Sequence, residues 1–255
     1  MITLAISGKG GTGKSTLSAL IIRWLAMNKG GPILAVDADS NVNLNDLLGV
    51  PLRETVGAIR EEMKIKISDL PGGMTKQQFL EYKTQSSLVE TRDFDLIAMG
   101  RPEGPGCYCY ANNLLQDVLQ TLALNYKFVV IDNEAGMEHL SRRTRHPIDY
   151  LFIVSDPSTR GIATAGRISR LLAELETRVM KKYLILNRAA GPLTPALEKT
   201  IGAEKLEFLA AVPEDKKLLK MDQEGIPVWS VSPDSPAFEA VGQMMIKLDL
   251  ERGRT

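Results

Sequence analysis

A chain of 255 residues in which 44% of side chains are hydrophobic and 24% charged can bury the core of one large α/β domain. Its 31 basic and 31 acidic residues cancel, so no net field draws it to nucleic acid or to an anionic membrane. The opening run Met1–Ile6 meets Gly8 and Lys9 without the basic lead or length of a secretory leader. No later segment reaches the roughly 18 apolar residues of a membrane span, so a cytoplasmic protein is expected.

Apolar runs of strand length recur along the chain, at Ile2–Ile6, Ile33–Val36, Asp95–Met99, Phe128–Ile131, Leu151–Val154, Tyr183–Leu186 and Leu206–Val212. Segments of helical period lie between them, among them Leu17–Met27, Asn113–Leu124 and Ile168–Leu175. Near-continuous apolar strands alternating with helices predict a mainly parallel sheet covered on both faces, a doubly wound α/β fold. One domain over residues 1–255 is the reading, with one interruption. Val50–Arg92 has mixed charge, a Pro71-Gly72-Gly73 turn signal and two helix-like pieces without a clear strand. It is expected to be a helical surface insertion at about 50–92.

The first strand runs into GKGGTGKST, Gly8 to Thr16, and then directly into a helix. That is the phosphate-binding loop G-x-x-x-x-G-K-[ST] in the context it requires. Gly8, Gly10, Gly11, Thr12 and Gly13 let consecutive N–H groups turn around phosphate oxygens at a helix N-terminus. Lys14 is expected on the β- and γ-phosphates, Ser15 on Mg²⁺ and Thr16 near the α-phosphate. The run AVDADSN ends the second strand in Asp37 and Asp39, where open α/β sheets bind ligands. In FVVIDNEAG four apolar residues end in Asp132, a Walker B pattern that holds Mg²⁺ through water. Asn187 in LILNR ends a strand where its amide can pair with adenine as donor and acceptor together. Pro213 and Glu214 follow the last strand in AVPEDKK, and no guanine-type Asn-Lys-x-Asp motif occurs, since Arg188 follows Asn187. The nucleotide is therefore expected to be ATP.

The second lysine, Lys9, directly after the first loop glycine, resembles the deviant Walker A of the MinD, ParA and nitrogenase iron protein superfamily. The resemblance implies a homodimer with two ATP molecules between its subunits, Lys9 crossing to the partner's nucleotide. It also implies that Asp39 orients the attacking water, that Asp37 supports the metal shell, and that Pro213–Glu214 closes over adenine. The catalytic set on this reading is Lys9, Lys14 and Asp39. Many members read Asp-Thr-Pro at Walker B, whereas this chain reads Asp132-Asn133-Glu134. Glu134 is either a second water-orienting base or a switch residue that meets the partner.

The chain has two cysteines, in GPGCYCY, separated by one tyrosine. A disulfide between them is a strained small ring and a redox pair normally shows C-x-x-C; burial as small hydrophobes, common for free cysteine, stays open beside metal binding, although the glycines and prolines here predict a surface loop. In an extended segment residues i and i+2 point the same way, so Cys107 and Cys109 can offer two thiolates to one ion. A thiolate site normally has four ligands, and a two-fold axis would bring Cys107 and Cys109 of two copies together. The stretches RPEGPGCYCYANNLL, DNEAGMEHLSRRT and the phosphate loop resemble the CooC family, ATPases that help insert nickel into carbon monoxide dehydrogenase. The resemblance runs from Met1 to about Glu214. It implies an ATP-driven metallochaperone that carries Ni²⁺, or Zn²⁺ in its place, with carbon monoxide dehydrogenase as client and neither nucleic acid nor membrane as partner. The rivals are a MinD- or ParA-type spatial organiser and an iron–sulfur scaffold ATPase. His139 and His146 are read as surface or switch positions rather than ligands.

Overall fold

The computed structural model describes residues 1–65, 73–100, 120–133, 147–174, 178–248 and 250. In chain order these form β1 (Ile2–Gly8), α1 (Lys14–Asn28), β2 (Ile33–Ala38), α2 (Leu44–Leu48), α3 (Val56–Ile65), α4 (Lys76–Ser87), β3 (Val89–Glu90) and β4 (Asp95–Ala98). There follow β5 (Phe128–Asn133), β6 (Ile148–Ser155), α5 (Thr159–Glu174), β7 (Val179–Ala189), α6 (Pro195–Ala203), β8 (Phe208–Pro213), α7 (Lys216–Gln223), a 3₁₀ turn (Val228–Ser230) and α8 (Pro236–Lys247).

The eight strands form one sheet in the order β3-β4-β2-β5-β1-β6-β7-β8, parallel except for β3. The expected doubly wound α/β architecture is the one observed. Parallel strands need helices on both faces, and their side chains divide accordingly. Leu4, Ile6, Val130, Phe152 and Val154 point to the face covered by α1, α2 and α8. Ala5, Val129, Ile131, Leu151 and Ile153 point to the opposite face, covered by α3, α4, α5 and α6. The period-two split explains why these strands carry apolar residues on both faces rather than alternating with polar ones, since neither face meets water.

The region at 50–92 supplies α3 and α4, as the two helix-like pieces suggest, and α4 opens with a Thr75–Gln78 capping box. It contributes to the second core through Val56, Ile59, Phe79 and Leu80. It also contains a strand, β3, paired antiparallel to β4, which the sequence reading does not anticipate. Two residues are too short a run to show alternation.

Candidate nucleotide site

β1 and β5 are neighbours in register Ile6↔Asp132, and β2 pairs with β5 in register Asp37↔Asp132. The C-terminal ends of the three central strands therefore deliver the phosphate loop and two carboxylates to one edge of the sheet. Gly8 closes β1 at φ +149, and a Cβ there would stand 2.2 Å from the Val154 carbonyl oxygen of β6. Only glycine lets the chain turn off the sheet at this point. The loop ends at Gly13, the N-cap of α1, in the left-handed region with φ +83. No side chain caps α1, so its N-terminal dipole faces the loop without an internal competitor.

Within the loop, the carbonyl oxygen of Lys9 accepts from the Thr12 hydroxyl at 2.8 Å and from Lys14 Nζ at 3.5 Å. The Lys14 side chain is thus folded over its own loop and buried, while Lys9 is exposed. Gly10, Gly11 and Thr16 sit in the same loop-to-helix turn.

Asp37 and Asp132 are each 1% exposed, side by side on adjacent strands. Burial pushes the Asp132 carboxyl up to about 6; the hydroxyl of Ser15 hydrogen-bonds it and pulls the other way, and the Asp37 charge raises it further. Ser18, one helical turn past Lys14, also donates to Asp132 Oδ1 at 3.2 Å. Asp37 is likewise raised by burial, against which N–H groups of Leu44, Asn43 and Asp39 act. Those groups donate at 2.9, 3.0 and 3.1 Å, so Asp37 ties down the 39–44 loop and the first turn of α2. Asp39 accepts the Asn41 N–H at 2.8 Å and stabilises that same loop from within.

Two carboxylates buried together with a serine hydroxyl form an all-oxygen donor set of the kind Mg²⁺ prefers, and a divalent cation offsets their burial. The residues present fit Mg²⁺, with Ser15 and Asp132 to hold it and Asp37 beside them. When bound to a nucleotide, Mg²⁺ neutralises phosphate charge that builds up during hydrolysis.

On the far side of the loop, Asn187 Nδ2 donates to the Thr12 carbonyl at 2.8 Å. Its second N–H and its carbonyl oxygen are the groups left to read a base. Pro213 pairs with Ala189 at the end of β8, and Glu214 N–H donates to the Ala189 carbonyl at 3.2 Å, so this segment stands beside Asn187. Next along, Asp215 accepts from Lys217 N–H and from two groups at the start of α8, Ser235 Oγ at 2.5 Å and Ala237 N–H at 3.2 Å.

Cys107 and Cys109, and with them Glu134, His139, His146 and most of the segment 113–124 whose period predicts a helix, lie outside the described residues. Among the described residues no helix is long and apolar enough to cross a membrane. Sequence reasoning misses Ser18, Asn133 and Arg188. Ser18 has a visible signal, a polar residue on the buried face of an apolar helix. Asn133 is 2% exposed and donates to the Ile6 carbonyl at 3.0 Å, a contact between strands distant in sequence.

A strand, glycine loop and helix beside two buried carboxylates at the carboxyl end of a parallel sheet define a P-loop nucleotide-binding protein. The chain belongs to the CobQ/CobB/MinD/ParA nucleotide-binding domain family, whose model matches residues 3–228. Among relatives, it is 40% identical to an uncharacterised ATP-binding protein of Methanocaldococcus jannaschii, over 96% of this chain and 97% of that one. It is 29% identical to the carbon monoxide dehydrogenase accessory protein CooC of Rhodospirillum rubrum, over 90% of each chain. The MinD cell division protein of Aquifex aeolicus shares the fold with a TM-score of 0.69 at 23% identity, covering 100% of this chain and 99% of that one.

Proposed function

We propose that this protein is an ATP-hydrolysing metallochaperone. It forms a dimer with ATP, Lys9 reaching the partner's nucleotide, and binds one Ni²⁺, or Zn²⁺ in its place, through Cys107 and Cys109 of each subunit. Its client is carbon monoxide dehydrogenase. The observation that carries this reading is the C-x-C pair itself, in a P-loop ATPase that is 29% identical to CooC along nine-tenths of its length. Two thiolates per chain are half of a four-thiolate site, and a symmetric dimer supplies the other half.

In this reading Lys14 and the loop N–H groups hold the phosphates, Asp39 orients the attacking water, and Asn187 with Pro213 and Glu214 holds adenine. Asp37 links chemistry to shape. The loop that carries Asp39 hangs from its carboxylate by three backbone hydrogen bonds, so a change of charge beside Asp37 is felt along residues 39–44. Loss of the γ-phosphate loosens the closed dimer, and the metal leaves the opened thiolate site.

The test uses an Asp39→Ala protein, which should hold ATP without turnover, titrated anaerobically with Ni²⁺ with and without ATP. Expected are one metal per dimer, tighter binding when ATP is present, and loss of that metal in Cys107→Ala/Cys109→Ala. Retention of one metal per dimer by the double variant overturns the thiolate site, and equal metal affinity with and without ATP overturns the coupling. An absorption band in the visible after reconstitution with iron and sulfide would instead indicate the cluster scaffold. A spatial organiser of MinD or ParA type is the second reading, favoured by 26% identity to MinD of Escherichia coli over 89% of this chain. ATP-dependent co-sedimentation with anionic vesicles or DNA would favour it.

A further inference from the structure

Asn187 and Arg188 are consecutive at the end of β7, so in a regular strand their side chains would point to opposite faces of the sheet. Here both reach the phosphate loop. Asn187 Nδ2 donates to the Thr12 carbonyl at 2.8 Å and Arg188 Nη1 to the Gly11 carbonyl at 3.4 Å. The backbone explains how: Arg188 has φ +58, one of two positive values outside glycine among the described residues, and the pairing of β7 with β8 is irregular between Asn187 and Ala189. A left-handed backbone is unfavourable for any residue with a Cβ, so an arginine kept there calls for a compensating contact. Among the described residues no carboxylate pairs with the Arg188 guanidinium, which leaves it as a cation at the lip of a loop built to hold a polyphosphate.

We infer that Arg188 is a positioning residue of the nucleotide site, a guanidinium clamp on the outer face of the phosphate loop. The inference rests on the reading of residues 8–16 as a phosphate site. By donating to the Gly11 carbonyl, Arg188 helps fix the peptide units that orient the N–H groups of Gly11 to Gly13, and its charge adds to the attraction for the phosphates. Its Nη2 stands 4.0 Å from where a Cβ on Gly13 would be, so clamp and helix cap are in one layer. The chain leaving the bulge carries the Ala189 carbonyl that holds Glu214 N–H at 3.2 Å. One irregular turn therefore connects the phosphate end of the site to the segment expected to cover the base.

The test is calorimetric titration of the full chain with Mg-ADP, with melting temperatures measured with and without it. Arg188→Ala should weaken Mg-ADP by about 5–30-fold, toward the low end for a charge-assisted hydrogen bond because the 3.4 Å contact is solvent-exposed. Its nucleotide-free melting temperature should stay near wild type. Arg188→Gly should melt higher than Arg188→Ala, because the left-handed strain is relieved, yet bind no better. Arg188→Lys should restore only part of the affinity, since it keeps the charge but not the planar guanidinium that donates to the Gly11 carbonyl. In ATP hydrolysis the loss should appear in KM with kcat within about twofold of wild type. Wild-type affinity in Arg188→Ala, or full rescue by lysine or glycine, overturns the clamp. A wild-type protein that gains no stability from Mg-ADP overturns instead the phosphate-site reading beneath it.

Discussion

Asp132 is held as a carboxylate where a neutral group would sit more comfortably. Its pKa of about 6 in the folded chain lies above the unfolded value of 3.8, so the folded state prefers the protonated form. The sign follows: the ionised group destabilises the protein fully above pH 6, and the penalty fades as pH falls toward 4. Asp132→Asn is therefore expected to raise the stability of the nucleotide-free protein at pH 7.5, by on the order of 1–3 kcal/mol, and to leave it nearly unchanged at pH 4. The same variant should lose Mg²⁺-dependent ATP hydrolysis. Denaturant melts at the two pH values check the first outcome and a phosphate-release assay the second. Gly8→Ala is the opposite case, a loss with no gain. The added methyl meets the Val154 carbonyl at 2.2 Å, so it should destabilise the chain by about 2–4 kcal/mol and abolish nucleotide binding together.

Among the elements, the pair α7 and α8 depends on one buried side chain. Burial alone would raise the Asp215 pKa, but hydrogen bonds from Ser235 Oγ and from the N–H groups of Ala237, Lys217 and Leu218 together outweigh it and hold the carboxyl below the usual range. It caps the first turns of both helices, and α8 packs on α1 and the first core. Asp215→Ala should cost about 2–4 kcal/mol in urea unfolding, more than a single cap, because it orphans donors at two helix starts. Since the folded pKa is depressed, this stabilisation is present above the unfolded value near 4 and is lost as pH falls below it, so the difference between wild type and variant should shrink at low pH. Much at this scale could be read directly from the residues. The phosphate loop announces itself because its glycines and lysine must stand at fixed spacing, and the buried strands because their apolar runs do not alternate with polar residues. Asp215 gives no such signal, since its partners at 235 and 237 are brought to it by the packing of α8. Arg188 gives none either; a left-handed residue and a bulge leave no periodic trace in sequence. β3 is legible only through its pairing with β4.

For the molecule as a whole, the site separates into a part that one chain completes and a part assigned to two. The phosphate loop, the carboxylates, Asn187 and the Pro213–Glu214 segment gather within one chain, with Lys9 the one loop residue assigned to a partner's nucleotide, whereas two cysteines fall short of a four-thiolate site by half. On the proposed thiolate reading, a chelator added to protein loaded with Ni²⁺ and ATP should shift a dimer toward the state held by nucleotide alone without altering the melting of the P-loop domain. Light scattering and melting curves recorded on the same sample test this, and a dimer equally stable before and after complete metal removal would show that the thiolates do not help hold the two copies together.

β1 lies in the middle of the sheet, its residues paired with Phe128 to Asp132 on one side and with Tyr150 to Val154 on the other. On the ribosome its apolar side chains must therefore wait for more than a hundred further residues before either neighbour exists, and Thr12 must wait for Asn187. A chain stopped at residue 147 holds the whole phosphate loop and both carboxylates, but lacks the strand on one side of β1. Such a fragment should show no cooperative unfolding and no stabilisation by Mg-ADP. Nucleotide binding would then report on a chain in which β1 already has both of its neighbours.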